Sequence, residues 1–189
     1  VSSGQLCTGY FYRLLTFRGV LSTLGTWVWE AMTPLKHRIF LWLSFRDRLN
    51  TKDNMVKKGW SEASPFAHCD TCPAVETIDH LILRCASASV LWGKLELDVL
   101  ACSTTNVLCF VEQAQHQLSL KQKWNVAFTA CAVTFWHARN DRVFNSKVWS
   151  VTYTCLYAAG MLRLWSLRTQ SQRTREVLQV WRQKLLHSV

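Results

Sequence analysis

The stretch from Cys69 to Cys85, C-D-T-C-P-A-V-E-T-I-D-H-L-I-L-R-C, constrains the fold more than any other part of the chain. Cys69 and Cys72 enclose two residues, His80 follows after seven more, and Cys85 after another four. Thiolates and an imidazole in this spacing suit tetrahedral zinc, because a C-x2-C pair lets one tight turn deliver two ligands before the chain returns with the others. Asp70, Thr71 and Pro73 are fitting residues for such a turn. Burial as small core residues accounts for Cys7, Cys102, Cys109, Cys131 and Cys155, which are scattered singly among apolar neighbours. The cluster lies instead in the most polar part of the chain, where core packing gives no reason for it. It points to one structural zinc ion, and a metal-type cluster among eight cysteines fits a reducing, intracellular setting, nuclear or cytoplasmic.

The remaining sequence favours helices. Only seven glycines and three prolines punctuate 189 residues, too few turn signals for an all-β fold, while 49% hydrophobic content excludes a disordered tail. The expected fold is mainly α: a small helical domain organised around one zinc site over residues 1–100, and a helical C-terminal extension over 101–189. Apolar spacing predicts a short helix on Tyr10 to Phe17, a helix over about 34–48 and a short one capped by Thr51 or Asp53 that stops at Gly59. It then predicts a helix starting at Thr77 with Ile78, Leu81, Ile82, Cys85, Leu91 and Trp92 on one face, a buried helix from Trp124 to Phe144, one from Val151 to about Leu167, and a last one bearing Val177, Leu178, Trp181 and Leu185. Residues 101–122 read as a weaker link. The longest apolar runs, about seven and about eleven residues, fall short of the ~20 that span a bilayer, so no membrane helix is expected. No signal peptide is evident, and the first residue, Val1, suggests a piece of something longer.

The predicted helix at Thr77 conflicts with the ligand set. Five residues of α-helix advance about 500°, which would point His80 and Cys85 some 140° apart. An irregular helix start, or His68 standing in for one of them, would relieve the conflict; His80 is preferred because it completes a compact cluster. Glu76 and Asp79 are candidate acceptors for the imidazole N–H that faces away from the metal, or simply acids at a helix start.

The net charge of +10 is unevenly spread. Residues 61–100 hold six acids against two bases, a balance of −4, so the rest of the chain carries +14. A polyanion would be drawn to the flanks, although a Lys/Arg excess also serves solubility alone. Candidate nucleic-acid contacts are Lys36, Arg38, Arg46 and Arg48 in the helix over 34–48, Arg139, and Arg163, Arg168, Arg173 and Arg175 near the C-terminus. The aromatics among the first four suit base stacking but fit better as a core stripe.

Several motifs in order resemble a known family. They are Pro34-x-Lys36-x3-Phe40-x-Trp42, Leu49-x-Thr51-x-Asp53-x-Met55, Lys58-Gly59, Cys69-x2-Cys72, Glu76, His80-Leu81, Cys85 and Trp92, followed by Trp136-x2-Arg139-Asn140-x3-Phe144. Residues 1–145 thereby resemble the zinc-binding domain that follows the reverse transcriptase of plant LINE-type, non-LTR retrotransposons. The resemblance implies Cys69, Cys72, His80 and Cys85 as zinc ligands. Ile82 departs from it, since the family usually has an aromatic there. No polymerase Asp-Asp pair, P-loop, H-E-x-x-H or G-x-S-x-G is present, and four protein ligands leave zinc no open position. The expectation is a non-catalytic module that assists reverse transcription by binding RNA or DNA. The alternative is a scaffold docking on the polymerase, the reverse transcriptase domain of the same polyprotein, or on a host partner. No small-molecule substrate is expected.

Overall fold

In the computed structural model the described residues are 23–61, 66–97, 99, 106–118 and 122–187. They are helical, with no strand beyond one isolated bridge between His68 and Val75. The elements are α1 (Thr23–Trp29), α2 (Leu35–Phe45), α3 (Lys52–Lys57), a π-helical turn (His80–Arg84), α4 (Ala86–Lys94), α5 (Val107–Gln117), α6 (Trp124–Asn145), α7 (Val151–Ser166) and α8 (Gln172–Leu186). The helix expected on Tyr10 to Phe17 lies outside the described residues.

Local chemistry sets most helix ends. The Thr51 hydroxyl accepts from the Asn54 amide (3.3 Å) to start α3, and Gly59 stops the segment with φ +70°, a left-handed conformation that glycine adopts without a Cβ clash. Ser150 and Ser171 begin α7 and α8 in the same way, their side chains accepting from the Tyr153 and Thr174 amides. Helix α5 was not expected. Asn106 caps it through the Cys109 amide (2.9 Å), and Val107, Phe110, Val111 and Ala114 form a buried stripe at helical spacing. The glutamines in its sequence and the polar residues before it dilute that signal.

The core is built around Trp92 of α4. Its indole lies nearly parallel to Phe128 (5.5 Å between centroids, 12°) and meets Phe110, Trp124 and Phe135 at 5.4–6.0 Å. Its Nε1 donates to the Ile82 carbonyl (2.7 Å), so the polar edge of the ring is satisfied inside an apolar cluster. Trp27 reaches the same cluster through Phe45 and Phe128, and Trp181 reaches it through Trp124 (5.9 Å). Buried residues from every described α-helix except α3 thus share one core, with α7 and α8 paired and α6 packed against α7 and α2.

His37 lies on the buried face of α2 against Trp165 of α7 (5.3 Å), and its Nδ1 has no hydrogen-bond partner. Burial first, then Lys36, His137 and Arg168, lowers its pKa to about 4. The imidazole is neutral when folded, and the unfolded chain binds more protons below about pH 6.5. Its contribution is complete above that pH and is lost as pH falls toward 4, a cost on the order of 3 kcal/mol there. The melting temperature should therefore fall more steeply between pH 7 and 4 in the wild type than in His37→Gln, while acid release of metal affects both alike. Parallel curves would contradict this.

Candidate metal centre

The metal loop is held by few contacts of its own. Asp70, Thr71, Pro73, Ala74 and Val75 are exposed, and the backbone closes through Cys69 N–H to the Ala74 carbonyl (2.8 Å) and Glu76 N–H to the Ala67 carbonyl (2.8 Å). The first bond brings Cys69 and Cys72 into one knuckle. The chain then enters a turn at Thr77, whose hydroxyl accepts from the His80 amide (3.0 Å).

The angular conflict is resolved by the π-helical turn. The Cys85 amide donates to the His80 carbonyl (2.8 Å), an i→i+5 closure that winds the backbone wide and returns Cys85 to the side occupied by His80. Cys85 then leaves helical geometry (φ −63°, ψ 139°) and serves as the N-cap of α4. A thiolate at that point gains from the positive end of the helix.

The donor atoms of Cys69, Cys72, His80 and Cys85 all lie within 4.8 Å of one another. Ideal zinc–thiolate bonds of ~2.3 Å place tetrahedral sulfurs roughly 3.8 Å apart, so a contraction of about 1 Å or less closes the shell. His80 presents Nε2 to the Cys72 sulfur at 3.1 Å. The Thr71 hydroxyl sits 3.0 Å from the Cys69 sulfur and 3.1 Å from that of Cys85, and the Ser87 hydroxyl lies 3.3 Å from Cys85. These hydroxyls are donors for the charge that thiolates carry. The hydrogen bond between Cys69 and Cys85 holds the Cys85 thiol far below its ordinary range and pushes Cys69 up, as one shared proton would. Three sulfurs and one imidazole nitrogen suit zinc, and a bound divalent ion would displace that proton. His68 is not in the cluster.

Two candidate partners of the imidazole have other work. The Glu76 carboxylate is 1% exposed; its Oε1 accepts from the Arg139 Nε (3.0 Å) and Nη2 (2.7 Å) and from the Lys52 amide (2.9 Å). Asp79 accepts from the Val107 amide (2.8 Å) at the start of α5. The loop is tied further to α3 by the ion pair of Lys52 with Asp70. Its anchors are thus the start of α3 and the C-terminal half of α6.

Arg139 must accordingly leave the set of nucleic-acid contacts: it is 5% exposed and its guanidinium is committed to Glu76. Lys36, Arg46, Arg48, Arg163, Arg168 and Arg173 are exposed, and Arg38 and Arg175 are half-buried. Arg46 stacks over Trp42 (5.0 Å), Arg38 donates to the Trp29 carbonyl (3.0 Å) and Arg175 to that of Gln170 (3.3 Å). Sequence distance hid one grouping. Arg38 of α2 and Arg168 beyond α7 line a single open cleft of about 400 Å³, and Arg173 and Lys123 line a second of about 600 Å³ beside it, with Glu30 on both.

No described helix is long and apolar enough to cross a membrane. No curated protein and no solved structure matches the chain. Residues 8–92 match the family described as zinc-binding in reverse transcriptase, a span that contains all four clustered donors. That family is a zinc-binding domain rather than a catalytic one, and residues 8–92 are what this chain shares with it.

Proposed function

We propose that the chain is a non-catalytic, zinc-stabilised helical module of a retroelement polyprotein, or of a gene derived from one, that holds template RNA or target DNA for a reverse transcriptase. Zinc fastens the 1–100 part, and the 101–189 extension supplies half of the contact surface. The carrying observation is the convergence of bases from remote parts of the chain. Arg38, Arg168, Lys123 and Arg173 face two neighbouring clefts, with Lys36 close by and Trp29 exposed at 43% on the rim. Cations beside an exposed aromatic suit a phosphate backbone with an unstacked base.

The test is a salt titration of a fluorescein-labelled single-stranded oligonucleotide, RNA and DNA in turn, with the zinc-loaded chain. Affinity should fall steeply as salt rises, log K against log salt having a slope of about −0.7 per phosphate contacted. Absence of binding at low salt would sink the nucleic-acid reading. Docking on the polymerase is the second reading, favoured by Phe144 and Val148, each 71% exposed at the corner between α6 and α7.

A further inference from the structure

The cleft between the α1–α2 connection and the end of α7 has the features of a site for one phosphate group. Helix α2 starts at Pro34 with no side-chain cap and no acid in its first turn, so the positive end of an eleven-residue helix is left uncompensated. Thr33, Pro34 and Leu35 form one wall, and Arg38 and Arg168 stand on the cleft as its two cations. Two polar groups in this wall lack partners. The Thr33 hydroxyl belongs to a residue only 7% exposed and makes no hydrogen bond, and neither does the Arg38 Nε. Buried polar groups are nearly always satisfied, and leaving one unmade costs about 1–3 kcal/mol, so two beside one uncapped helix start call for a ligand. All of them are donors, and donors converging on a helix N-terminus select an anion.

We infer that this cleft binds one phosphate of a nucleic-acid backbone, between Arg38 and Arg168, with the α2 amides and the Thr33 hydroxyl below it and Trp29 available to the neighbouring base. The inference rests on the nucleic-acid reading above and gives it an address. The tetrahedral oxyanion chemistry is shared with free phosphate, and the two sources are separable. Glu30, on the rim, is the one acid among the described residues that line the cleft, and it repels the same group.

Two measurements on the full zinc-loaded chain test it. In the first, inorganic phosphate is titrated while backbone amide resonances are followed, and the Leu35 and Lys36 amides are expected to shift saturably. In the second, oligonucleotide affinity is measured against salt for four variants. Arg168→Gln should weaken binding about tenfold at low salt and make the slope shallower by roughly 0.7. Thr33→Val should weaken it several-fold while leaving the melting temperature unchanged or raised, since it removes an unpartnered hydroxyl. Glu30→Gln should strengthen binding. Arg48→Gln, which lies off the cleft, should cost less than Arg168→Gln. Affinity and slope unchanged in both Arg168→Gln and Thr33→Val would overturn the pocket while leaving nucleic-acid binding standing. Phosphate shifts without any oligonucleotide binding would overturn the backbone assignment together with the nucleic-acid reading, and would identify free phosphate as the ligand. Silence of the α2 amides toward phosphate would overturn the site altogether.

Discussion

Replacing Cys72 by serine is expected to release the metal and to lower amide-exchange protection across residues 66–85 by at least about 100-fold, equivalent to about 2.7 kcal/mol. The physical reason is the poverty of other restraints. Five loop residues, Asp70, Thr71, Pro73, Ala74 and Val75, are exposed, and the loop closes on itself through the two backbone bonds that make up its His68–Val75 bridge. Ligand binding is therefore a large share of what orders it. The loss should be graded. Leu91 and Trp92 of α4 and Leu95 just beyond it are fully buried, Trp92 against α5 and α6, so the helix retains an apolar reason to stay, and α6 to α8 should keep most of their protection. Zinc removal by a chelator should reproduce the pattern in the wild type. Unchanged protection of residues 66–85 in metal-free protein would show that the cluster does not hold the loop.

Removing the Arg139 side chain is the second large effect. Arg139→Ala should destabilise the chain by about 3–5 kcal/mol, because Glu76 would remain buried with its charge uncompensated. Loss of the pair as a whole should cost far less. A chain with Arg139→Met and Glu76→Leu together should recover much of the stability, since apolar groups of similar size replace a buried pair at little cost. The recovery should be incomplete, because Glu76 also accepts from the Lys52 amide, and that donor would be orphaned. Denaturant melts of the four members of this cycle measure the coupling directly. Additive losses would mean that the two side chains act independently.

These two sites differ in how far the sequence announced them. The ligands were legible because their chemistry is local: the C-x2-C pair, His80 and Cys85 sit in seventeen residues whose polarity excludes core filling. The helices at 35–45, 124–145, 151–166 and 172–186 were legible from apolar spacing, and the short one at 52–57 from its Thr51 cap and Gly59 stop. The π-helical turn was not, because periodicity reports the 3.6-residue α-helix, and the wider closure at Cys85 is imposed by what His80 and Cys85 must reach together. The roles of Glu76 and Arg139 were hidden for another reason. They are 63 residues apart, and nothing local distinguishes a buried arginine from an exposed one. Local sequence therefore groups Arg139 with the surface cations and leaves Glu76 open between the metal's imidazole and a helix start. Helix α5 was hidden by composition, its buried stripe of Val107, Phe110, Val111 and Ala114 being diluted by glutamines.

The separation between Glu76 and Arg139 also carries a consequence in time. A ribosome delivers roughly 5–20 residues per second, so Arg139 emerges about 3–13 seconds after Glu76. Throughout that interval the four donors are already made and competent to capture metal, while the acid beside them has its Lys52 amide but not its countercharge. On that schedule the nascent knuckle would be open to metal before Glu76 is neutralised, and α6 would dock last, as a latch onto a loop already formed.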